Sequence, residues 1–129
     1  MKKLLVIIML LFAVSANAQV FVESTLDTIS VGGTLSAGID TRGDRVFLIK
    51  VPDSFDGTSI TLYHSEDDTN FNPVYDTADN SIISFTVTAG REYRLKPAEY
   101  FFTKRYIKIK SDATVTTTPD SFYVSLGKY

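Results

Sequence analysis

The chain has 129 residues, with thirteen Lys or Arg against fifteen Asp or Glu, and no Cys. That length makes one domain large enough to bury a core without staples, and the missing Cys excludes both a disulfide framework and a thiolate metal site. The slightly acidic balance, without a basic run, speaks against a nucleic-acid groove, whose affinity rests on clustered Lys and Arg.

Residues 1–18 read as a signal peptide. Lys2 and Lys3 are a positive start, Leu4 to Val14 is unbroken apolar sequence, and Ala16-Asn17-Ala18 offers the small residues a signal peptidase reads. The apolar run falls short of the roughly 20 residues of a transmembrane helix. The expectation is export to the periplasm or medium, with a single domain over 19–129 and no stable membrane span after cleavage. No Cys follows the cleavage site, so a lipoprotein anchor is not expected.

Beyond the leader the chain reads as short strands separated by turn residues. Val20-Phe21-Val22 begins the first, and Leu26, Ile29 and Val31 continue it as an extended or edge segment up to Gly32-Gly33. Leu35, Ala37 and Ile39 then alternate with Ser36, Gly38 and Asp40, which predicts a half-buried strand with the apolar set inward. Thr41-Arg42-Gly43-Asp44 contains the tripeptide that some integrins recognise. Gly43 between two strands is sufficiently explained as a hairpin turn that needs a positive φ. Arg45 to Val51 is the most apolar strand, ended by Pro52. After Asp56-Gly57, Ser59 to Ser65 puts Ile60, Leu62 and His64 on one face and Thr61 and Tyr63 on the other.

A polar loop, Glu66 to Asn72, leads into Phe71-Asn72-Pro73-Val74-Tyr75. Asp79-Asn80 is a turn before Ser81 to Val87, whose inward set is Ile83, Phe85 and Val87. Ala89-Gly90 connects to Arg91 to Leu95, and an elbow from Lys96 to Lys104 carries Pro97 and three adjacent aromatics, Tyr100, Phe101 and Phe102. In Arg105 to Lys110, Ile107 and Ile109 choose the core, so Tyr106, Lys108 and Lys110 make an aromatic and basic outer face. A Thr-rich polar loop, Asp112 to Asp120, follows and need not be buried. Ser121 to Leu126 closes the chain with Phe122, Val124 and Leu126 on one side. Seven or eight short strands with regular turn signals predict an all-β antiparallel sandwich, Ig-like or jelly-roll-like, with helix nearly absent.

Chemistry is sparse. Asp67, Asp68, Asn70, Asn72 and Asp76 offer the hard oxygen ligands that Ca²⁺ prefers, but the loop lacks the Gly and the closing Glu of an EF-hand, and a solvated turn fits the same residues. His64, the only histidine, shares the face of Ile60 and Leu62 and reads as structural. No G-x-S-x-G elbow surrounds any Ser, and a domain this small has little room for a carboxylate-lined substrate cleft. Neither an enzyme, a cofactor nor a bound metal is expected. The best binding candidates are Tyr100, Phe101 and Phe102 with Tyr106, Lys108 and Lys110, since exposed aromatics are favoured at hot spots and on sugar platforms. Tyr63 and Tyr93 would extend that surface if their strands were neighbours.

Ser59 to Ser125 resembles a small β-sandwich protein of tailed-phage structural gene clusters. The matching pieces are Ser65 to Asp76, SEDDTNFNPVYD; the turn Val87-Thr88-Ala89-Gly90-Arg91; the elbow Leu95-Lys96-Pro97-Ala98-Glu99-Tyr100; and Arg105 to Ser111 with its final strand. The family usually has Gly after that last Ser, where this chain has Asp112. The resemblance implies a non-enzymatic virion component, a head-decoration or fibre-type module that self-associates or docks on a capsid lattice, placing the protein on the virion surface. The partners so implied are other virion or surface proteins, in a homo-oligomer or lattice. The leader favours a rival, a secreted or surface domain that uses the same aromatics for glycan or a cell-surface protein.

Overall fold

A computed structural model describes residues 22–96 and 105–127. The expected signal peptide over residues 1–18, the residues up to Phe21, and the elbow aromatics Tyr100, Phe101 and Phe102 lie outside the described residues. Nine strands follow one another: β1 Val22–Ile29, β2 Ile39–Asp40, β3 Arg45–Lys50, β4 Ser59–Ser65, β5 Asn72–Pro73, β6 Ser84–Thr86, β7 Glu92–Arg94, β8 Tyr106–Ser111 and β9 Asp120–Gly127. Every pairing is antiparallel. No helix among the described residues is long and apolar enough to cross a membrane.

The strands form two sheets, β1-β9-β3-β7 and β2-β8-β4-β5, with β6 also paired to β4. β5 meets one end of β4 (His64↔Asn72) and β6 the other (Ile60↔Phe85). They are therefore one edge strand interrupted by an excursion. Counted so, eight strands are divided between two sheets in the order of a jelly roll rather than of an Ig domain. The expected all-β antiparallel sandwich is what forms.

The two-residue alternation works where the sequence is regular. Ile60 and Leu62 on β4, Ile107 and Ile109 on β8, and Phe122, Val124 and Leu126 on β9 all point inward and are buried. Each such side chain contributes roughly 1.5–3 kcal/mol when removed from water. Phe55 meets Phe122 edge to face, with centroids 5.6 Å apart. β3 carries a bulge at Phe47, between Val46 and Leu48, which lets Val46 and Ile49 both enter the core.

Around β1 and the approach to β2 the apolar pattern misleads. Leu26 is 50% exposed, whereas its neighbour Asp27 is 1% exposed. Leu35 is 40% exposed and Ala37 is also outside, while Ser36 is buried. The cause is a polar cluster joining the two sheets. Ser36 Oγ donates to Asp27 Oδ2 (2.5 Å) and accepts from the Ile109 amide (2.7 Å). The Gly38 amide donates to Asp27 Oδ1 at 2.8 Å. Leu35 bridges Lys110 and Ile39 pairs with Ile107, so four steps of one chain match three of the other. That extra residue reverses the side-chain facing between Leu35 and Ile39. Gly38 takes up the distortion at φ +96°.

Two other expectations are corrected. The Thr-rich loop is not free of the core, because Val115 is buried and exchanges backbone hydrogen bonds with Gly32 and Gly33. Asp120, at its end, is buried and accepts from Ser54 Oγ at 2.6 Å. The Arg42-Gly43 turn has positive φ at both residues and an Asp44 amide bonded to the Thr41 carbonyl. It nonetheless joins strands of different sheets, so it is a corner and not a hairpin.

Asp112 has a structural task. Its carboxylate accepts from the Thr58 and Ser59 amides and from Thr58 Oγ1 (2.7 Å), which fixes the start of β4. A side chain at Gly57 would collide with that carboxylate and with the Phe55 ring.

Ser36→Ala removes a donor to a buried carboxylate and an acceptor for a buried amide. The expected loss is about 2–3 kcal/mol in urea unfolding with the fold retained. A loss below about 0.5 kcal/mol would show that the cluster does not hold the sheets together.

Candidate functional site

The outer face of the β8–β4 sheet gathers the aromatic and basic side chains. Tyr106, Lys108 and Lys110 alternate outward on β8, as expected from the sequence. Antiparallel register sets Tyr63 of β4 opposite Lys108, Thr61 opposite Lys110 and Ser65 opposite Tyr106. Such directly opposed pairs touch across the sheet, and diagonal neighbours remain within reach of long side chains.

Within this register each cation finds a ring. Lys110 Nζ lies 5.4 Å from the Tyr63 ring centroid and 3.4 Å from its hydroxyl oxygen. Lys108 Nζ lies 4.4 Å from the centroid of Phe71, which enters from the loop before β5. Arg105 stands 5.1 Å over Tyr106 and makes a two-pronged pair with Asp40, Nε–Oδ1 3.0 Å and Nη2–Oδ2 2.8 Å. That pair lowers the Asp40 pKa and raises that of Arg105 through the shared hydrogen bonds. Exposed cation–π contacts contribute only about 0.5–1 kcal/mol each. Their effect here is positional, since they hold charge in fixed places on an exposed sheet face.

Gly38 shapes the row as well. A Cβ there would stand 3.0 Å from Lys108 Cγ and 3.1 Å from Cε, so the lysine stem lies across the space the glycine leaves open. Leu35, bridged to Lys110, adds an apolar margin to the same face.

Tyr63 joins the platform because β4 and β8 are neighbours. Tyr93 does not, since it lies on β7 in the other sheet and its hydroxyl accepts from the Thr88 amide at 2.8 Å. It lines a cleft of about 300 Å³ on the open side between β6 and β7, floored by Ile49 and Ile60 with Arg94 and Lys96 among its walls. Phe71 was not among the expected binding residues, although it lies in the Ser65 to Asp76 piece that carries the resemblance. Tyr100, Phe101 and Phe102 lie outside the described residues. His64 is half-buried, with Ile107 and Asn72 as its strand partners.

The oxygen-rich loop turns inward on itself. Asp67 accepts from Ser65 Oγ, the Thr69 and Asn70 amides and Asn70 Nδ2. Asp68 takes a left-handed conformation, φ 59°, Asn72 has joined β5, and Asp76 accepts from the Ala78 amide. Among the described residues no group of three or more His, Cys, Asp or Glu side chains could hold a metal ion.

Those internal hydrogen bonds set the response to acid. The Asn70 amide, followed by the Ser65 hydroxyl, holds Asp67 well below the usual carboxylate range, and the Thr58 hydroxyl lowers the pKa of Asp112. A depressed folded-state pKa stabilises above the ordinary value near 4, and that contribution is lost as pH falls. Asp27 runs the other way, because burial raises its pKa, so its contribution is largest in acid and lost as it ionises. Asp67→Asn should therefore lower Tm at pH 7 and draw toward the wild type as pH falls from about 5 to about 2. Parallel Tm curves for the two proteins would contradict this.

No protein-family model matches the chain, and no curated protein matches it. Among solved structures it is similar to the SPBc2 prophage-derived protein YomS, at 12% identity and a TM-score of 0.48, over 84% of this chain and 96% of that one.

Proposed function

We propose that the chain is a non-enzymatic structural module of a virion, of capsid-decorating or fibre type, that docks on protein neighbours through the outer face of β8 and β4. The observation that carries the docking reading is the row of Phe71, Lys108, Tyr63 and Lys110, in which each ammonium sits over a ring. A neutral sugar would have to displace those lysines to stack on Phe71 or Tyr63. Acidic groups of a protein partner meet the ammoniums where they already stand. The virion assignment rests on the motif resemblance over Ser59 to Ser125. The jelly-roll order is compatible with it, being used by viral capsid and lectin domains alike, but fold alone does not choose a function.

The signal peptide expected over residues 1–18 favours a second reading, an exported surface module that uses the same face for a cell-surface protein or glycan. Sequencing the native N-terminus by mass spectrometry, in fractionated cells and in purified particles, separates the two. A stoichiometric band in particles is the expected result. A start at Gln19 in the periplasm or medium, with none in particles, would replace the virion reading with the second.

The face itself is tested by Lys108→Glu with Lys110→Glu. The pair should weaken incorporation or partner binding at least about tenfold, since each reversal turns an attraction into a repulsion. Tm should stay within a few degrees, because both groups lie outside the core. Undiminished binding would remove this face from the function.

A further inference from the structure

The charge of this chain is segregated along its length. Between Val51 and Gly90 there are seven Asp or Glu and no Lys or Arg, whereas between Arg91 and Lys110 there are seven Lys or Arg and two Glu. The fold brings the second block's Arg105, Lys108 and Lys110 to the outer face of β8. It puts part of the first block on an arm, the excursion between β5 and β6, where all eight residues 75–82 are exposed.

The arm is built to keep one shape. Tyr75 and Ile82 form a β-bridge, and the Ile83 amide bonds the Val74 carbonyl at 2.9 Å. At the tip the Asp76 amide bonds the Ser81 carbonyl and the Asn80 amide bonds the Asp76 carbonyl. Asp76 Oδ1 accepts from Ala78, and Asp79 Oδ1 accepts from the Ser81 amide and hydroxyl. Asn80 completes the turn at φ 58°. The result is a pre-shaped acidic tip behind two apolar side chains, Tyr75 at 52% and Ile82 at 42% exposure. A segment already held in its docking shape loses little entropy on binding.

We infer that the arm of one copy docks on the β8–β4 face of another, Tyr75 and Ile82 against Leu35, Tyr63 and Tyr106, with Asp76 and Asp79 against Lys108 and Lys110. This rests on the face being a docking surface, as proposed above. The contact must be between copies. The arm is fixed by its own bridge at the β5 and β6 edge of β4, β8 lies on the other side of β4, and Tyr75 and Ile82 remain open to solvent in their own molecule. Face against face would oppose lysine to lysine, so the complementary pairing is arm to face. It makes a reciprocal dimer if two such contacts close on each other, and otherwise a ring or chain.

Two surface variants of the full chain test this by sedimentation velocity. Lys108→Glu/Lys110→Glu spoils the face and keeps the arm, and Tyr75→Ser/Ile82→Ser spoils the arm's apolar side and keeps the face. The wild type should self-associate at low salt and at least about tenfold more weakly near 0.5 M salt, where screening shortens the reach of charge to a few ångströms. Each variant alone should be monomeric, with a melting temperature within a few degrees of the wild type's. An equimolar mixture should form a complex, because one intact arm then meets one intact face. Carbodiimide coupling of mixed light- and heavy-nitrogen protein should join Lys108 or Lys110 of one copy to Asp76 or Asp79 of another.

A wild type that stays monomeric at low salt overturns the inference, as does a mixture that forms no complex or coupling confined within single copies. If the wild type is monomeric while the lysine reversals still abolish partner binding, the self-contact fails and the docking face stands. If the reversals alter neither, both fail.

Discussion

The carboxylate of Asp27 holds the two sheets in register at one edge, and the outer face of β8 and β4 depends on it. Asp27 stands on β1, in one sheet, and is reached by Ser36 and Gly38 from the segment that pairs with β8 in the other. Ser36 Oγ also stands in for a strand carbonyl by accepting the Ile109 amide. A buried carboxylate is costly unless hydrogen-bonded, so these donors are a condition of its presence in the core. Once they are in place, the extra residue between Leu35 and Ile39 follows. Leu35 turns outward beside Lys110, and the bare Cα of Gly38 receives the stem of Lys108. The position of a surface lysine thus traces back to a buried acid two strands away.

The same sheet ends at its other edge in an interrupted strand. β5 and β6 share the flank of β4, and the chain between them leaves the sheet as the arm. A continuous edge strand would offer a row of unpaired amides and carbonyls to any passing strand. Breaking it into pieces of two and three residues shortens that row. The excursion therefore protects the edge while giving it a rigid acidic projection.

How much of this could be read from the sequence depends on whether the controlling interaction was local. β4, β8 and β9 were legible because their apolar residues alternate without interruption, and Tyr106, Lys108 and Lys110 were placed outward by that periodicity alone. The Gly43 turn was legible from its type, though not that it passes between sheets. Leu35 and Ala37 were assigned inward with Ile39 because apolar residues ordinarily are. Only the bonds between Asp27, Ser36 and Ile109 reverse that, and the last of these lies 73 positions from Ser36. Val115 was hidden by its polar neighbours, since one apolar residue in a Thr-rich loop has no periodicity to reveal it. Phe71 reaches the face through the register of β5 on β4, a pairing of two residues that no run of sequence announces.

The two lysines of the face differ in how they are held, and this decides what each could contribute to the docking proposed above. Lys108 has its stem against Gly38 and its head over Phe71, and it is half-buried. Much of the entropy of ordering a long side chain, up to about 2 kcal/mol for a lysine, is already lost in the folded protein and need not be lost again on binding. Lys110 is exposed and held more loosely by Tyr63. A fixed charge beside an adaptable one suits a partner whose acidic groups are themselves held at a set spacing. Arg105, bound at both prongs by Asp40, is largely neutralised and serves to anchor the end of β2 to β8. The charge that the face presents outward is therefore that of Lys108 and Lys110, with the rings beneath them setting where it sits.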